Sequence, residues 1–314
     1  MKLRRYALAV AAMFAPFGAV TASEERAASV VESWRTWAHG LDIEAGEIAV
    51  LMKGEPLAET SFGGAGGPAD LASLSKAITA TCLARLVGAG EAAWDDRVGD
   101  HLPEAQPPLA DATLAGLMTH SAGVNPDETQ GWMPELRGAG ETAYAETVDR
   151  IGDRPLQAAG RYAYNNENYG VLAAVIEEVA GASYEEACAQ PGLSPSPTYG
   201  RFAAWGGWRG ELSDYGRFHW RAFGGFDASE APSVPAFGPE VLYGLGTIQR
   251  AFGGGWNFWH FGALCFADGD RFMTHAVLFS DGLGVVSRVE GCPEEDWFGS
   301  LDAAIVRGAF ARAD

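Results

Sequence analysis

The sequence predicts an α+β fold: an antiparallel sheet built from both ends of the chain, helices packed on it, and a mostly helical lobe inserted between. Three observations carry this. Strand-like runs flank a turn in "EIAVLMKGEPLAETSF" near the start, and strand-like runs return only after about residue 241. The stretch between them reads as helices and loops. Strands distant in sequence then share one sheet, with helices on its faces.

The elements follow in order. Residues 24 to 38, "EERAASVVESWRTWA", place Val30, Val31, Trp34 and Trp37 on one side of an amphipathic helix. Two strands are then expected around a Lys53-Gly54-Glu55-Pro56 turn. "GGAGGP" breaks the chain, and an alanine-rich helix is expected from Ser73 to Val87, ending near Gly88. Further helices are predicted at 111–118, 141–152, 169–179 and 212–222, with proline- and glycine-rich ordered loops over much of 190–240. "YGLGTIQRAF", "GWNFWHFGALCF", "RFMTHAVLFS" and "LGVVSRVEG" read as strands, with Asp268-Gly269 and Asp281-Gly282 as hairpin turns. A helix at 299–312 closes the chain. The expected organisation is one unit over 23–314, its sheet domain from about 23–66 and 241–314 and its helical lobe from about 67–240.

The first residues, "MKLRRYALAVAAMFAPFGAVTASEE", combine a basic start, an apolar run from Tyr6 to Val20 and small residues before Ser23. This is the pattern of a secretory signal peptide over 1–22, so a periplasmic or extracellular location is expected, with no stable membrane insertion once the leader is cleaved. A retained anchor is the alternative, disfavoured by Pro16 and Gly18 within the run. The formal charge is −19, and loss of the three basic groups of the leader makes it 19 − 41 = −22. Such a field repels nucleic acid and anionic membranes, although it also serves simply to keep an exported protein soluble. Four cysteines, an even number, allow one or two disulfides. Cys265 with Cys292 is the first pair to test, while Cys82 falls on a predicted buried helix where a free thiol acts as a small apolar residue. Their spacing gives no zinc signature.

"LASLSKAITA" holds one of only three lysines in the chain. Ser73 and Lys76, three apart, share a helix face. A serine hydroxyl needs a neighbouring base, and a desolvated lysine can lose its proton where arginine cannot. The plain alternative is a serine cap beside a solvated lysine. In "RYAYNNENYG", Tyr164 and Asn166 precede a helix and stand to reach the same cleft, with the lysine ammonium favouring the tyrosine's phenolate form. Asn166 would orient Lys76 or bond a substrate carbonyl; a polar loop capping a helix is the alternative. In "WHFGALCF", His260 and Gly262 suit a strand along the cleft edge. The amides of Ala263 and Ser73 would then form an oxyanion hole. Trp256, Phe258, Trp259 and Phe261, with Trp205 and Trp208 in a loop over the cleft, supply candidates for an apolar acyl pocket. His39, His101, His219 and His275 show no ligand spacing, and no GxSxG, HExxH, GxxxxGK[ST] or GxGxxG feature occurs.

"SLSK", "YNN" and "HFG", in this order and separation, resemble the penicillin-recognising serine hydrolases of the class C β-lactamase type, a family that also holds esterases and D-amino-acid peptidases. "LVGAGEAAWDDRVGDHLP", "LAGLMTHSAGV" and "YGLGTIQ" agree, and the likeness runs through most of residues 45 to 290. His120 in "LMTHSAGV" resembles a structural position of the family. The resemblance implies a β-lactamase/transpeptidase-like fold, acylation of Ser73, a base role shared by Lys76 and Tyr164, and assistance from Asn166. His260, Gly262 and Ala263 become the substrate strand and oxyanion donor, and neither metal nor organic cofactor is implied. One departure matters: true β-lactamases of this type carry lysine then threonine where this chain has His260 and Phe261. Histidine is mostly neutral above a pKa of about 6.5, and phenylalanine forms no hydrogen bond, so the anion clamp is weakened. The expected substrates are therefore neutral esters first, then D-amino-acid peptides or small amides, then β-lactams. Outside catalysis, the same features suit an acylated sensor or scaffold that does not turn over, or an anchored interaction protein if the leader is retained.

Overall fold

The computed structural model describes residues 21–292, 294 and 297–311. Of the leader expected over 1–22, residues 1–20 lie outside the described residues, while Thr21 caps the first helix and Ala22 begins it. Strands β1 (Gly46–Met52) and β2 (Glu55–Phe62) form the N-terminal hairpin. The short strands β3 (Ala69–Asp70), β4 (Leu193–Pro195) and β5 (Trp208–Gly210) make a separate three-stranded sheet. Then come β6 (Val234–Pro235), β7 (Leu242–Gly244), β8 (Thr247–Phe252), β9 (Gly255–Cys265), β10 (Arg271–Leu278) and β11 (Leu283–Glu290). The large sheet has the order β2-β1-β11-β10-β9-β8-β7-β6. Val50 of β1 faces Val285 of β11, so strands from the chain's two ends pair within one antiparallel sheet, as predicted.

Hydropathy explains the layering. β1, β10 and β11 are buried along almost their whole length, which requires cover on both faces. On one face lie α1 (Ala22–Gly40) and α10 (Trp297–Phe310), whose Val30, Trp34, Leu301 and Ile305 pack with Val50 and Val285. On the other lie α9 (Leu212–Phe223) and the lobe, which contains α2 (Ser75–Ala89), α3 (Val98–His101), α4 (Leu114–Met118), α5 (Thr129–Trp132), α6 (Tyr144–Ile151), α7 (Glu167–Ala180) and α8 (Tyr184–Ala187). Gly90 and Gly181 end α2 and α7 in the left-handed conformation, the usual glycine stop.

Several expectations need correction. The helix expected from Ser73 begins at Ser75; Ser73 sits instead in a 3₁₀ turn, Ala72–Leu74, that runs into it. The helix expected over 111–118 is shortened to α4, with a 3₁₀ turn at Leu109–Asp111 before it. Cys82 is not a free thiol but is bonded to Cys188, and Cys265 is bonded to Cys292 as expected. The first pairing joins residues 106 apart, and no local pattern announces a contact made only when α2 packs beside the segment after α8.

Candidate active site

Ser73 is presented by a backbone kink. Ala72, just before it, has a φ of 47°, which is uncommon and strained for a side-chain-bearing residue. Surrounding bonds hold the kink: Leu71 N–H donates to Trp208 O at 2.9 Å, and Thr274 Oγ1 donates to Leu71 O at 2.9 Å. From this turn the Ser73 hydroxyl points into a cleft of about 390 Å³ between the sheet and the lobe.

Lys76 lies one turn further on and is wholly buried. Its Nζ lies 3.0 Å from Ser73 Oγ, 2.7 Å from Asn166 Oδ1 and 2.7 Å from the carbonyl of Trp205. Burial lowers the Lys76 pKa from 10.5 to about 7, partly offset by the charge of Asp127. The neutral amine therefore has a large population near neutral pH. Its two N–H groups are then taken by two carbonyl oxygens, which can only accept, and its lone pair is left for the serine proton.

Tyr164 completes the group: its hydroxyl donates to Ser73 Oγ at 2.8 Å. Its ring lies 4.9 Å from Lys76 Nζ. The expected phenolate is reversed, because burial of the hydroxyl end raises the Tyr164 pKa well above 10. The residue as a whole remains 37% exposed, its ring forming part of the cleft wall, so the direction of the shift follows from the inward-pointing hydroxyl alone. Tyr164 is thus a proton donor in this state, and Lys76 carries the basic lone pair.

Asn166, at the start of α7, offers Oδ1 to Lys76 and donates through Nδ2 to Asp127 Oδ2 at 3.0 Å and Thr129 Oγ1 at 2.9 Å. His120, the residue before Ser121 in "THSAGV", is buried behind Tyr164, with ring centroids 4.5 Å apart, and accepts at Nδ1 from Asn168.

β9 runs along the cleft with a free edge. Its pairing with β8 ends at Trp259, opposite Ile248, while pairing with β10 continues to Cys265. A Cβ placed on Gly262 would lie 2.8 Å from Ser73 N, so only glycine lets this strand approach the nucleophile turn. Ala263 lines the cleft. His260 is 5% exposed, and its nitrogens are engaged by the protein: Nδ1 faces Phe261 O and Nε2 lies 3.3 Å from Tyr243 Oη. Burial, aided by nearby Lys76, lowers its pKa to about 3, so it stays neutral across the working range.

The sequence-predicted residues Ser73, Lys76, Tyr164, Asn166, His260, Gly262 and Ala263 thus converge. Four aromatic expectations do not: Phe258 is core, Trp208 is buried beneath the site with its indole N–H on Tyr184 Oη, Trp256 lines a separate groove and Trp259 packs on the opposite face of the sheet, whereas Trp205 and Phe261 do line the cleft. Sequence reasoning missed Tyr162, Gln130, Met133, Phe237 and Phe298 in the wall and the carbonyl of Trp205 beside Lys76. Among the described residues lining the cleft there is no Lys, Arg, Asp or Glu. A larger groove of about 800 Å³, lined by Lys53, Trp220, Trp256 and others, holds none of the predicted catalytic, orienting or oxyanion-hole residues. Among the described residues, no group of three or more His, Cys, Asp or Glu is placed to hold a metal.

Comparison with known proteins places the family and the fold. The Beta-lactamase family profile matches residues 35–287. Penicillin-binding protein 4 of Amycolatopsis lactamdurans is 31% identical over 123 residues, 37% of this chain but only 30% of that protein. In structure, a D-stereospecific amidohydrolase from Streptomyces sp. aligns over 90% of this chain and 99% of its own, with a TM-score of 0.71 at 17% identity. A β-lactamase/D-alanine carboxypeptidase from Pseudomonas syringae covers 92% and 99%, with a TM-score of 0.70 at 14% identity. At such identities these two likenesses show the fold alone.

Proposed function

The chain belongs to the beta-lactamase family, a family of serine hydrolases, and from that premise we propose that it is an exported serine hydrolase acting on neutral esters or small amides through an acyl-enzyme on Ser73. The observation that carries the proposal is the placement of Lys76 Nζ 3.0 Å from Ser73 Oγ, its other two bonds going to carbonyl oxygens.

Lys76 takes the hydroxyl proton as Ser73 Oγ attacks the substrate carbonyl. The amides of Ser73 and Ala263 stabilise the oxyanion, a contribution of about 3 kcal/mol per donor in comparable sites. Tyr164 gives its proton to the leaving oxygen or nitrogen and recovers one from the Lys76 ammonium. Water then attacks the acyl carbonyl, passing its proton through Tyr164 to the site, and Ser73 Oγ leaves protonated. The leaving group departs with the proton that began on Ser73, water supplies its replacement, and the complete cycle returns the site to its starting proton count.

The uncharged cleft wall supports a neutral substrate. A carboxylate entering it meets no Lys or Arg among the described residues of the wall, and His260 is both neutral and already hydrogen-bonded. The two disulfides support export to an oxidising compartment, and no described helix is long and apolar enough to cross a membrane. The amidohydrolase neighbour favours a second reading, hydrolysis of D-amino-acid amides.

The test compares a short-chain p-nitrophenyl ester, a D-amino-acid p-nitroanilide and a chromogenic cephalosporin, using wild type and Ser73→Ala. Turnover of the ester that disappears in the variant supports the proposal. Preference for the anilide moves the assignment to the amide reading, and fast cephalosporin turnover removes the anion-clamp argument. Equal rates in both proteins would leave Ser73 a turn residue.

A further inference from the structure

We propose that Asp127 is a positioning residue for the hydrolytic site, fixing the side-chain amide of Asn166 so that it presents Oδ1, and not Nδ2, to Lys76. The inference rests on Ser73 and Lys76 being the nucleophile and base described above.

An asparagine amide is symmetric in shape but not in hydrogen bonding. If Asn166 turned over, its NH₂ would face the Lys76 amine, which would then spend its lone pair on the amide instead of on Ser73. Something must hold the orientation, and the contacts identify it. Asp127 Oδ2 accepts from both the backbone N–H of Asn166, at 3.2 Å, and its Nδ2, at 3.0 Å. An acceptor-only carboxylate at that place admits Nδ2 and excludes Oδ1. Asp127 is itself fixed, because its Oδ1 accepts from Thr129 N at 3.0 Å and Thr129 Oγ1 at 2.7 Å. The Thr129 hydroxyl, so committed as a donor, is left to accept from Asn166 Nδ2.

The segment carrying Asp127 is joined to the head of α7 by other bonds. Asn165 Nδ2 donates to Val124 O at 2.8 Å, and Arg154 links Glu128, at 2.9 Å, to buried Glu167, at 2.6 Å. Asp127 therefore holds a defined place relative to Asn166. Its charge also acts on Lys76, which Tyr164, Tyr169, His120 and His260 surround. Burial keeps both tyrosines protonated and both histidines neutral near pH 7. The Asp127 carboxylate draws the Lys76 pKa upward against burial.

The experiment follows the rate at which a fluorophosphonate probe labels Ser73, measured by intact mass from pH 5 to 9. Wild type, Asp127→Asn, Asn166→Ala and the double variant are compared, with melting temperatures as folding controls. Asp127→Asn is expected to label about tenfold to a hundredfold more slowly at its plateau, the scale of a small misplacement in a reacting group. Its acid limb is expected to move down by about one pH unit, because the Lys76 ammonium loses a favourable charge. In the Asn166→Ala background the same substitution should add little to the plateau loss. Should Asp127→Asn not fold, Asp127→Ser removes the same charge and is read in the same way. A slowed plateau with an unmoved acid limb, or a full additional loss in the Asn166→Ala background, would overturn the positioning role. Failure of wild type to label at Ser73 would instead remove the hydrolase reading, and the role of Asp127 with it.

Discussion

The carbonyl of Trp205 lies 2.7 Å from Lys76 Nζ, and this backbone contact decides how the lysine is used. A carbonyl only accepts, so it claims one N–H of the amine in every protonation state. Asn166 Oδ1 claims another at 2.7 Å. What remains, a third N–H or a lone pair depending on pH, points at Ser73. Lys76 is therefore oriented toward the nucleophile before any substrate arrives, and its protonation state is the variable that pH controls.

Lys76→Met is expected to abolish turnover and to change how stability depends on pH. The folded-state pKa is about 7, against 10.5 for the ordinary side chain. Between those values the unfolded chain binds the extra proton, so the lysine's contribution to stability rises with pH. The stability difference, wild type minus variant, should grow from pH 7 to pH 9 at up to about 1.4 kcal/mol per pH unit. Urea denaturation at several pH values measures it. A flat difference would mean that Lys76 remains an ammonium in the fold.

Tyr164→Phe should slow acylation by about 10²–10⁴, the range for loss of a positioned proton-transfer group. The Tyr164 hydroxyl donates to Ser73 Oγ, and its pKa is raised well above 10. The wild-type rate should accordingly rise with pH through about 7, as Lys76 loses its proton, and show no fall on the alkaline side up to pH 9. In the phenylalanine variant the acid limb should stay where it is. Stopped-flow acylation by a p-nitrophenyl ester gives both quantities. A basic limb near pH 8 would restore the phenolate reading that burial argues against.

Much of this site could be read in the sequence because its signals are local. Ser73 and Lys76 are three residues apart, and the spacing holds even though the serine sits in a 3₁₀ turn and not on the helix proper. Gly262 was legible as a glycine on a cleft-edge strand, but not the reason the fold requires it there, the closeness of Thr274 Oγ1 and Ser73 N. The Trp205 carbonyl was not legible, since a backbone acceptor leaves no trace in residue type. Phe237 and Tyr162 become neighbours, 5.7 Å between ring centroids, only when the segment before β7 crosses the lobe. Cys82 and Cys188 meet for a similar reason. The direction of the Tyr164 shift depends on burial, which composition around a motif does not disclose.

His260→Lys tests why the cleft is neutral. The native histidine is held near pKa 3, with Nδ1 on its neighbour's carbonyl and Nε2 facing Tyr243 Oη, and it adds no charge to a wall whose described residues include no Lys or Arg. A lysine there can extend its amine into the cleft, where water and a bound carboxylate would both favour the ammonium form. The ratio of cephalosporin to p-nitrophenyl ester turnover, as kcat/KM, should rise by about tenfold or more, the scale on which one new polar contact discriminates between substrates. The gain should weaken with added salt, as an electrostatic contact does. Ester turnover itself should fall only modestly, because Ser73, Lys76 and Tyr164 do not bond to His260 in the native site. An unchanged ratio, with the variant folded and active on the ester, would mean that carboxylate recognition does not pass through this strand position and that the neutral wall does not set the substrate class.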